Sequence, residues 1–517
     1  MALPQPVKQL AGPTAWVETY GCQMNISDGE LMHGILAAHG FRAAESIENA
    51  DVILVNTCAI REHAEQRVLG RVGELNRVKQ DRPEVVIGVT GCMAQRMGAT
   101  LLERAPYVDL VMGPDGYRSL PDVLARLRPG RLAPRMGAGQ VRKPEAARRD
   151  PSSGRRALPI VDGTPDPAVQ TAGIAGGTGT ADAASTVPAG RTARRGRRAA
   201  VLALDGGENY EGIAVRRTSR VSAWVPIQRG CDHRCTFCIV PYVRGPEKNR
   251  DPAHILDEIR AIADEGIPEV VLLGQTVNAY CHGEHDFPRL LRAVARVDGI
   301  RRVRFMSPHP NDVTSALVEV MATEASICRQ LHLPVQAGHD RTLRRMLRRY
   351  TVAAFMEKVR LVRDAIPDIA LSTDVIVAFP GETDAEYRAT IDLLRDVRFD
   401  DAYLYKYSPR DGTPATRLPA GDFIAAAVAQ ERLEHVIDVQ RSITAEINAA
   451  EVGRTVEVLV ERPARSAGDM LGRTGSNKVA AFPGDETLIG CTIDVRLTGT
   501  TGATFRAVPA GRVASVA

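Results

Sequence analysis

No stretch of this chain approaches the ~20 consecutive apolar residues that a membrane-crossing helix needs, so no membrane association is expected. The first residues, Met1-Ala-Leu-Pro-Gln-Pro, have neither the basic region nor the apolar run of a secretory leader, and none is expected. Nine cysteines in 517 residues are too few for a secreted disulfide scaffold. A reducing cytoplasm, where free thiols and clusters survive, is the expected location. An excess of one charge is lacking too. The formal net charge is only +4, which permits a nucleic-acid partner without requiring one. No G-x-G-x-x-G follows the first strand-like run, which disfavours a dinucleotide-binding sheet.

The residues present are concentrated in patterns. At 44% hydrophobic residues the chain can fill cores, and its length implies two to four domains. Cys231-Asp-His-Arg-Cys235-Thr-Phe-Cys238 places three cysteines within eight residues at C-x3-C-x2-C spacing. That is a compact thiolate clamp of the kind iron–sulfur clusters use, and three thiolates on a four-iron cluster leave one iron open to a small molecule. The alternatives are a zinc loop and cysteines buried as small hydrophobes. Zinc would want a second C-x2-C or a His pair nearby, and the cysteines are too dense for simple packing.

From Thr14 to about Leu127, short apolar runs alternate with amphipathic stretches, which predicts a parallel α/β domain. Three of its runs are followed by Tyr20-Gly-Cys22, Asn56-Thr-Cys58 and Thr90-Gly-Cys92. Ligands in such sheets sit beyond the carboxyl ends of the strands, so Cys22, Cys58 and Cys92 are candidates for a second three-thiolate site. Three unrelated buried cysteines are the plainer alternative. Residues 131–207 change character to Arg clusters and a Gly/Ala/Thr-rich run, which reads as a disordered insert or linker.

From Ser222 onward, strand and helix patterns alternate six times, with strands at Ser222 to Ile227, which the clamp follows, Glu269 to Leu273, Arg302 to Met306, Gln330 to Leu333, Ile369 to Val377 and Ala402 to Tyr405. This predicts a full or partial (β/α) barrel, with polar residues beyond the strand ends facing the open iron: Gln275, Asn278, Ser307, His309, Gln336 and Glu382. From about Glu451 to Val508, short alternating strands with Gly, Asp and Asn turns predict a small antiparallel β-barrel. Arg473, Lys478 and Arg496 on it are candidate RNA contacts, with ordinary surface charge as the alternative.

The clamp, with Phe237 ahead of Cys238, resembles the signature of radical S-adenosylmethionine enzymes. Tyr20-Gly-Cys-Gln-Met-Asn25, the loop from Asn56 to Glu65 and Thr90-Gly-Cys-Met-Ala-Gln95 are similar to the cluster loops of the methylthiotransferases among them. Further matches to that family are Leu273-Gly-Gln-Thr-Val-Asn278, Leu331-His-Leu-Pro-Val-Gln336, Ser372-Thr-Asp-Val-Ile-Val377, Phe379-Pro-Gly-Glu-Thr383 and, in what resembles a TRAM domain, Gly472 to Lys478. Departures are the insert, Ala378 where Gly often precedes Phe-Pro-Gly, and Ala337 where Ser often follows Pro-Val-Gln.

The resemblance implies an N-terminal methylthiotransferase domain over 14–128, a radical SAM core domain over 215–447 and a TRAM RNA-binding domain over 450–514. It implies two [4Fe-4S] clusters, on Cys231, Cys235 and Cys238 and on Cys22, Cys58 and Cys92, with S-adenosylmethionine contacts at Gln275, Asn278, Ser307, His309, Gln336 and Asp374 and RNA contacts at Arg473 and Lys478. The implied partners are a tRNA anticodon arm and an electron donor such as flavodoxin or ferredoxin, with no membrane; a monomer is the working expectation. The loops most resemble members that add a methylthio group at C2 of N6-(dimethylallyl)adenosine beside the anticodon. Members acting on threonylcarbamoyl-adenosine in tRNA, or on a ribosomal-protein aspartate, are the alternative, and a non-catalytic RNA-binding protein with structural clusters is the other class.

Overall fold

The computed structural model describes residues 12–59, 62–132, 160–161 and 197–514. Most of the insert expected at 131–207, the extreme N-terminus and residues 60–61 of the second cysteine loop lie outside the described residues. Contacts divide the chain into two units, residues 1–21 with 31–204 and residues 22–30 with 205–517.

The first unit is built on a seven-stranded sheet. Its successive strands β1 (Thr14–Tyr20), β2 (Val52–Thr57), β3 (Val86–Gly91), β4 (Leu110–Met112) and β5 (Arg198–Val201) are mutually parallel neighbours in that order. Arg42–Ala43 extends the β1 edge and Ile160–Val161 pairs antiparallel with β5. β2 and β3 are buried at every residue, as expected of central parallel strands that are covered on both faces. Helix α1 (Gln23–Ala38), whose residues 23–30 belong to the second unit, follows β1, and α2 (Glu62–Asp81) follows β2.

The second unit contains six parallel strands in chain order: β6 (Ser222–Pro226), β7 (Glu269–Leu273), β8 (Arg302–Phe305), β9 (Gln330–His332), β10 (Ala370–Val377) and β11 (Asp401–Lys406). They form two three-stranded sheets. A parallel bridge from Val303 to Ile327 links β8 to the chain entering β9, so the whole is an open barrel. Capped helices alternate with the strands. Asp251 accepts from the Ala253 N–H ahead of α3 (Pro252–Asp264), and Asp286 does the same for Arg289 at α4 (Phe287–Ala295). Thr314 caps α5 (Ser315–Thr323), Thr351 caps α6 (Val352–Ala365), and a Thr383–Glu386 capping box opens α7 (Asp384–Val397). Each helix buries one apolar face on the strands, for example Ile255, Ile259 and Ile262 of α3 against Val225 and Val270.

A 26-residue helix, α8 (Ala426–Glu451), leads to a closed five-stranded barrel. Its strands are β12 (Thr455–Pro463), β13 (Asp469–Thr474), β14 (Val479–Pro483), β15 (Thr492–Thr500) and β16 (Thr504–Ala514), around Phe482, Phe505, Val458 and Val495. All pairs are antiparallel, as expected of the small barrel, except β14 with β16, which is parallel. Closure removes the open edges that a small sheet would otherwise present.

Candidate active site

The clamp begins at a point only glycine can occupy. Gly230 takes φ +77°, and a Cβ there would lie 1.9 Å from the Pro246 carbonyl oxygen. The loop beyond it is tied down along its length. The Cys231 N–H donates to Gly245 O at 3.1 Å, and the Cys238 N–H closes a turn on Cys235 O at 3.0 Å. Thr236 is held from both sides: its N–H donates to Met346 O, its hydroxyl to Arg345 O, and its carbonyl accepts from the Ala415 N–H. This bracing fixes the thiol positions before any ligand arrives.

Cys231 and Cys235 are buried, Cys238 is half-buried, and no disulfide joins the described cysteines. The Thr276 hydroxyl lies 3.2 Å from Cys231 Sγ, and Arg348 Nη1 donates to Cys235 Sγ at 3.4 Å. Burial pushes the Cys231 thiol up and the Cys238 thiol up to about 12, the latter helped by the neighbouring Cys235. Without a cation these sulfurs keep their protons. A metal ion or cluster replaces the protons and reverses that preference, so three thiols held on one short braced loop suit such a group.

The residues expected beyond the strand ends have distinct environments. Gln275, two residues past β7, is half-buried, and its Oε1 is buried with no hydrogen-bond partner among the described residues. A buried acceptor left open in this way fits a polar ligand with donor groups. Asn278 is not open: its Nδ2 donates to His309 O at 2.9 Å and its Oδ1 accepts from the His309 N–H at 2.7 Å. It therefore braces the loop after β8. Ser307 is exposed, with φ +63°, and its carbonyl accepts from the Val277 N–H. Gln336, with φ +72°, is bound through its backbone to Asp374 O and the Ile376 N–H. Asp374 lies inside β10 rather than beyond its end, with Oδ2 3.4 Å from His332 Nε2. Glu382 is buried against Arg432, which its Oε2 meets at 2.8 Å.

His309 stacks on His233 of the clamp, with ring centroids 4.0 Å apart and planes 12° apart, and meets Tyr350 edge-on. Burial, reinforced by the nearby Arg348 charge, holds its pKa down at about 2, so the ring is neutral. Asp312 completes a group whose ligand atoms lie within 4.8 Å of one another. Near-parallel rings, however, direct their lone pairs along parallel planes rather than at one ion. His233, Thr276, Arg348 and Tyr350 were not among the sequence candidates. The basic run Arg344-Arg-Met-Leu-Arg-Arg349 was the available signal for Arg348.

In the first unit, β1, β2 and β3 end in register, with Tyr20 opposite Thr57 and Thr57 opposite Gly91. Gly21, Cys58 and Cys92 are the next residues along the three chains, and Cys22 follows Gly21. Glycine is required twice here. A Cβ on Gly21 (φ +128°) would sit 2.3 Å from Cys58 Cβ, and one on Gly91 (φ +92°) 2.5 Å from Thr57 O. The strand ends thus pass close together beside the cysteines. Cys58 and Cys92 are buried, and Cys22 Sγ lies 3.2 Å from Asn25 Oδ1.

The two expected RNA contacts on the small barrel have protein partners. Lys478 is 9% exposed at its side chain and bonds Glu451 at 2.5 Å and Asp400 at 2.8 Å. Arg473 bonds Glu461 and Asn477. Arg304 donates to Thr474 O and Gly475 O while pairing with Glu269, and Arg302 donates to Arg473 O at 2.6 Å. The end of β13 and the turn that follows it are thus seated on β7 and β8. Arg496 is exposed on β15.

Three families match the chain: the Radical SAM superfamily over residues 225–394, the TRAM domain over 449–509, and the Uncharacterized protein family UPF0004 over 14–113. A solved structure of the radical S-adenosylmethionine methyltransferase TsrM from Kitasatospora setae, with cobalamin and a [4Fe-4S] cluster bound, shares the fold at a TM-score of 0.50. It is 14% identical and covers 78% of this chain and 77% of its own. The cysteine clamp at the mouth of an open parallel barrel is the arrangement of a radical SAM protein. At the finer level, the chain is 37% identical over 498 residues to the tRNA-2-methylthio-N(6)-dimethylallyladenosine synthase of Chlorobium luteolum, covering 96% of both. It is 37% identical to the synthase of Pelotomaculum thermopropionicum, covering 93% of this chain and 94% of the relative. The chain belongs to the family of the tRNA-2-methylthio-N(6)-dimethylallyladenosine synthases. No helix among the described residues is long and apolar enough to cross a membrane.

Proposed function

We propose that this protein carries out radical methylthiolation of tRNA, converting N6-(dimethylallyl)adenosine beside the anticodon to its 2-methylthio derivative. The observation that carries this reading is the braced loop of thiols Cys231, Cys235 and Cys238, with the open acceptor of Gln275 one residue before Thr276, whose hydroxyl lies 3.2 Å from Cys231 Sγ. These cysteines would hold one [4Fe-4S] cluster and Cys22, Cys58 and Cys92 a second. When bound, the first with S-adenosylmethionine supplies radical hydrogen abstraction at adenine C2, a carbon no side-chain base deprotonates, and the second supplies sulfur.

The chain's own part is to hold and orient. Gln275 offers its Oε1 to the bound cofactor, and Ser307 and Gln336 present their side chains from strand-end turns. Asn278 fixes the His309 loop, and neutral His309 gives a flat wall that neither adds charge nor exchanges protons near the reacting centre. The target base has to leave its stack to reach a barrel mouth, as exposed anticodon-loop bases do most readily.

In this reading residues 14–128, 215–447 and 450–514 are the methylthiotransferase, radical SAM and TRAM domains. Reducing equivalents come from a flavodoxin- or ferredoxin-like donor in a reducing cytoplasm. The test is mass spectrometry of nucleosides in bulk tRNA from a strain lacking this protein. Loss of the 2-methylthio nucleoside, with its dimethylallyl precursor accumulating, is expected. An unchanged nucleoside profile with a lost modification on a ribosomal protein would overturn the reading.

A further inference from the structure

Arg348, a buried cation in the second unit, has no carboxylate partner among the described residues. Arg348 is 8% exposed, yet its three hydrogen bonds go to a sulfur, a phenol and a carbonyl: Nη1 to Cys235 Sγ at 3.4 Å, Nε to Tyr350 Oη at 3.0 Å and Nη2 to Pro334 O at 3.2 Å. None goes to a carboxylate among the described residues. Other buried arginines of this unit contrast with it. Arg229 and Arg244 share Asp28, Arg304 has Glu269, and Arg432 has Glu382 and Asp384.

A guanidinium does not shed its proton inside a protein, so its charge is permanent. A buried permanent charge without a counter-charge is strongly unfavourable. The chain nevertheless builds a specific seat for it. Leu347 takes a left-handed φ of +57°, and the Arg348 N–H returns to Leu343 O at 2.8 Å, which ends the short helix Asp340–Arg345 and turns the side chain inward. The Tyr350 hydroxyl that accepts from Nε donates in turn to Val335 O at 2.9 Å, and the guanidinium lies 5.2 Å from that ring's centroid. The side chain is locked with one edge on the cysteine sulfur.

We propose that Arg348 is the counter-cation of the cluster on Cys231, Cys235 and Cys238, a positioning residue that acts through Cys235 to favour the cluster's reduced state. The proposal rests on those three cysteines holding a [4Fe-4S] cluster. With three thiolates an oxidised cluster of this kind carries one net negative charge. One electron from a low-potential one-electron donor takes it to the reduced state and two negative charges, with no bond made or broken. A fixed positive charge and an N–H···S bond at the ligand sulfur stabilise the second state more than the first, and so raise the potential. The residue thus makes the electron needed to start the reaction easier to load.

The test uses the full chain, reconstituted anaerobically, with a redox titration followed by electron paramagnetic resonance on the signal that responds to added S-adenosylmethionine. Arg348→Gln should lower the reduced-to-oxidised ratio at fixed potential at least tenfold, a negative shift of about 59 mV for one electron. Arg348→Lys, which keeps the charge, should shift less than half as far. An unshifted titration in Arg348→Gln with normal iron per chain overturns the proposal. The unaltered chain gives an independent answer that does not depend on variant folding. With [15N]arginine labelling, an arginine nitrogen coupling to the reduced cluster is expected, and its absence overturns the proposal. If the unaltered chain has no such cluster signal, the assignment of the three cysteines fails and takes this proposal with it.

Discussion

Asp28 lies fully buried against Arg229, two residues ahead of the first clamp cysteine, and its second carboxylate oxygen accepts from Arg244 Nη2 at 2.7 Å. One carboxylate therefore holds both flanks of the clamp, since Arg244 closes the short helix Val240–Arg244 that follows Cys238. Asp28 itself stands on α1, six residues after Cys22. Replacing Asp28 with Asn leaves two buried guanidiniums sharing a neutral amide, a loss of about 3–5 kcal/mol where a buried pair is broken. Asp28→Asn is expected to lower the melting temperature and the iron retained by the clamp, measured by calorimetry and iron analysis. Unchanged values in both would show that the carboxylate does not hold the loop.

His309 should make the metal-free protein acid-sensitive. Its pKa is about 2 in the folded chain against 6.5 for an ordinary histidine, because burial opposes its charge. Below pH 6.5 the unfolded chain binds a proton that the folded chain refuses. Stability is therefore full above 6.5 and falls with pH, by about 1.4 kcal/mol per unit from this group. Between pH 6.5 and 5.5, where the unfolded histidine goes from half to mostly protonated, His309→Asn should remove about 1 kcal/mol of the pH dependence in denaturant melts. Equal slopes in the two proteins would mean that His309 protonates in place.

Lys478 should act on stability rather than on RNA electrostatics. Its ammonium is shared by Glu451 and Asp400, both mostly buried, so Lys478→Met leaves two carboxylates facing each other without a cation and should cost about 2–4 kcal/mol. The salt dependence of tRNA binding should stay the same, because no phosphate contact is lost. A slope reduced by about 0.7–0.9, with stability intact, would instead put Lys478 on a phosphate.

Ala378 occupies a left-handed backbone position at φ +57°, where a Cβ is strained by about 1–2 kcal/mol. Ala378→Gly should raise stability by about 1 kcal/mol after the entropy cost of glycine, and its N–H can still donate to Glu382 Oε2. A lower melting temperature would show that the methyl group packs better than the backbone conformation suggests.

The strands β6 to β11 are legible in the sequence because each is a short β-branched or apolar run between helices with distinct polar faces. The cysteines are legible because their spacing is itself chemistry. Other parts are hidden for physical reasons. In α5, Leu317, Val318, Val320 and Met321 are buried in a nine-residue segment, so its apolar positions show little helical period. α8 has no side-chain cap at Ala425 and an alanine-rich start that resembles the preceding loop. In β13, Gly472 offers no side chain to mark a strand, because it is a packing glycine: a Cβ would lie 2.3 Å from Val458 Cγ1. Asn278 shows the limit for site residues. Sequence places it beyond β7, but only the structure shows its amide bonded to the His309 backbone. Arg348 is similarly hidden, because its partner sulfur lies 113 positions away.

The assignment of Cys231, Cys235 and Cys238 to the radical-generating cluster, and of Cys22, Cys58 and Cys92 to sulfur transfer, is read out by 5′-deoxyadenosine formation from S-adenosylmethionine under reducing anaerobic conditions. Replacing the first three together with Ala should abolish it. Replacing the second three with Ala should leave measurable 5′-deoxyadenosine but no 2-methylthio product on tRNA. Undiminished 5′-deoxyadenosine from the Cys231→Ala, Cys235→Ala, Cys238→Ala protein would contradict the account.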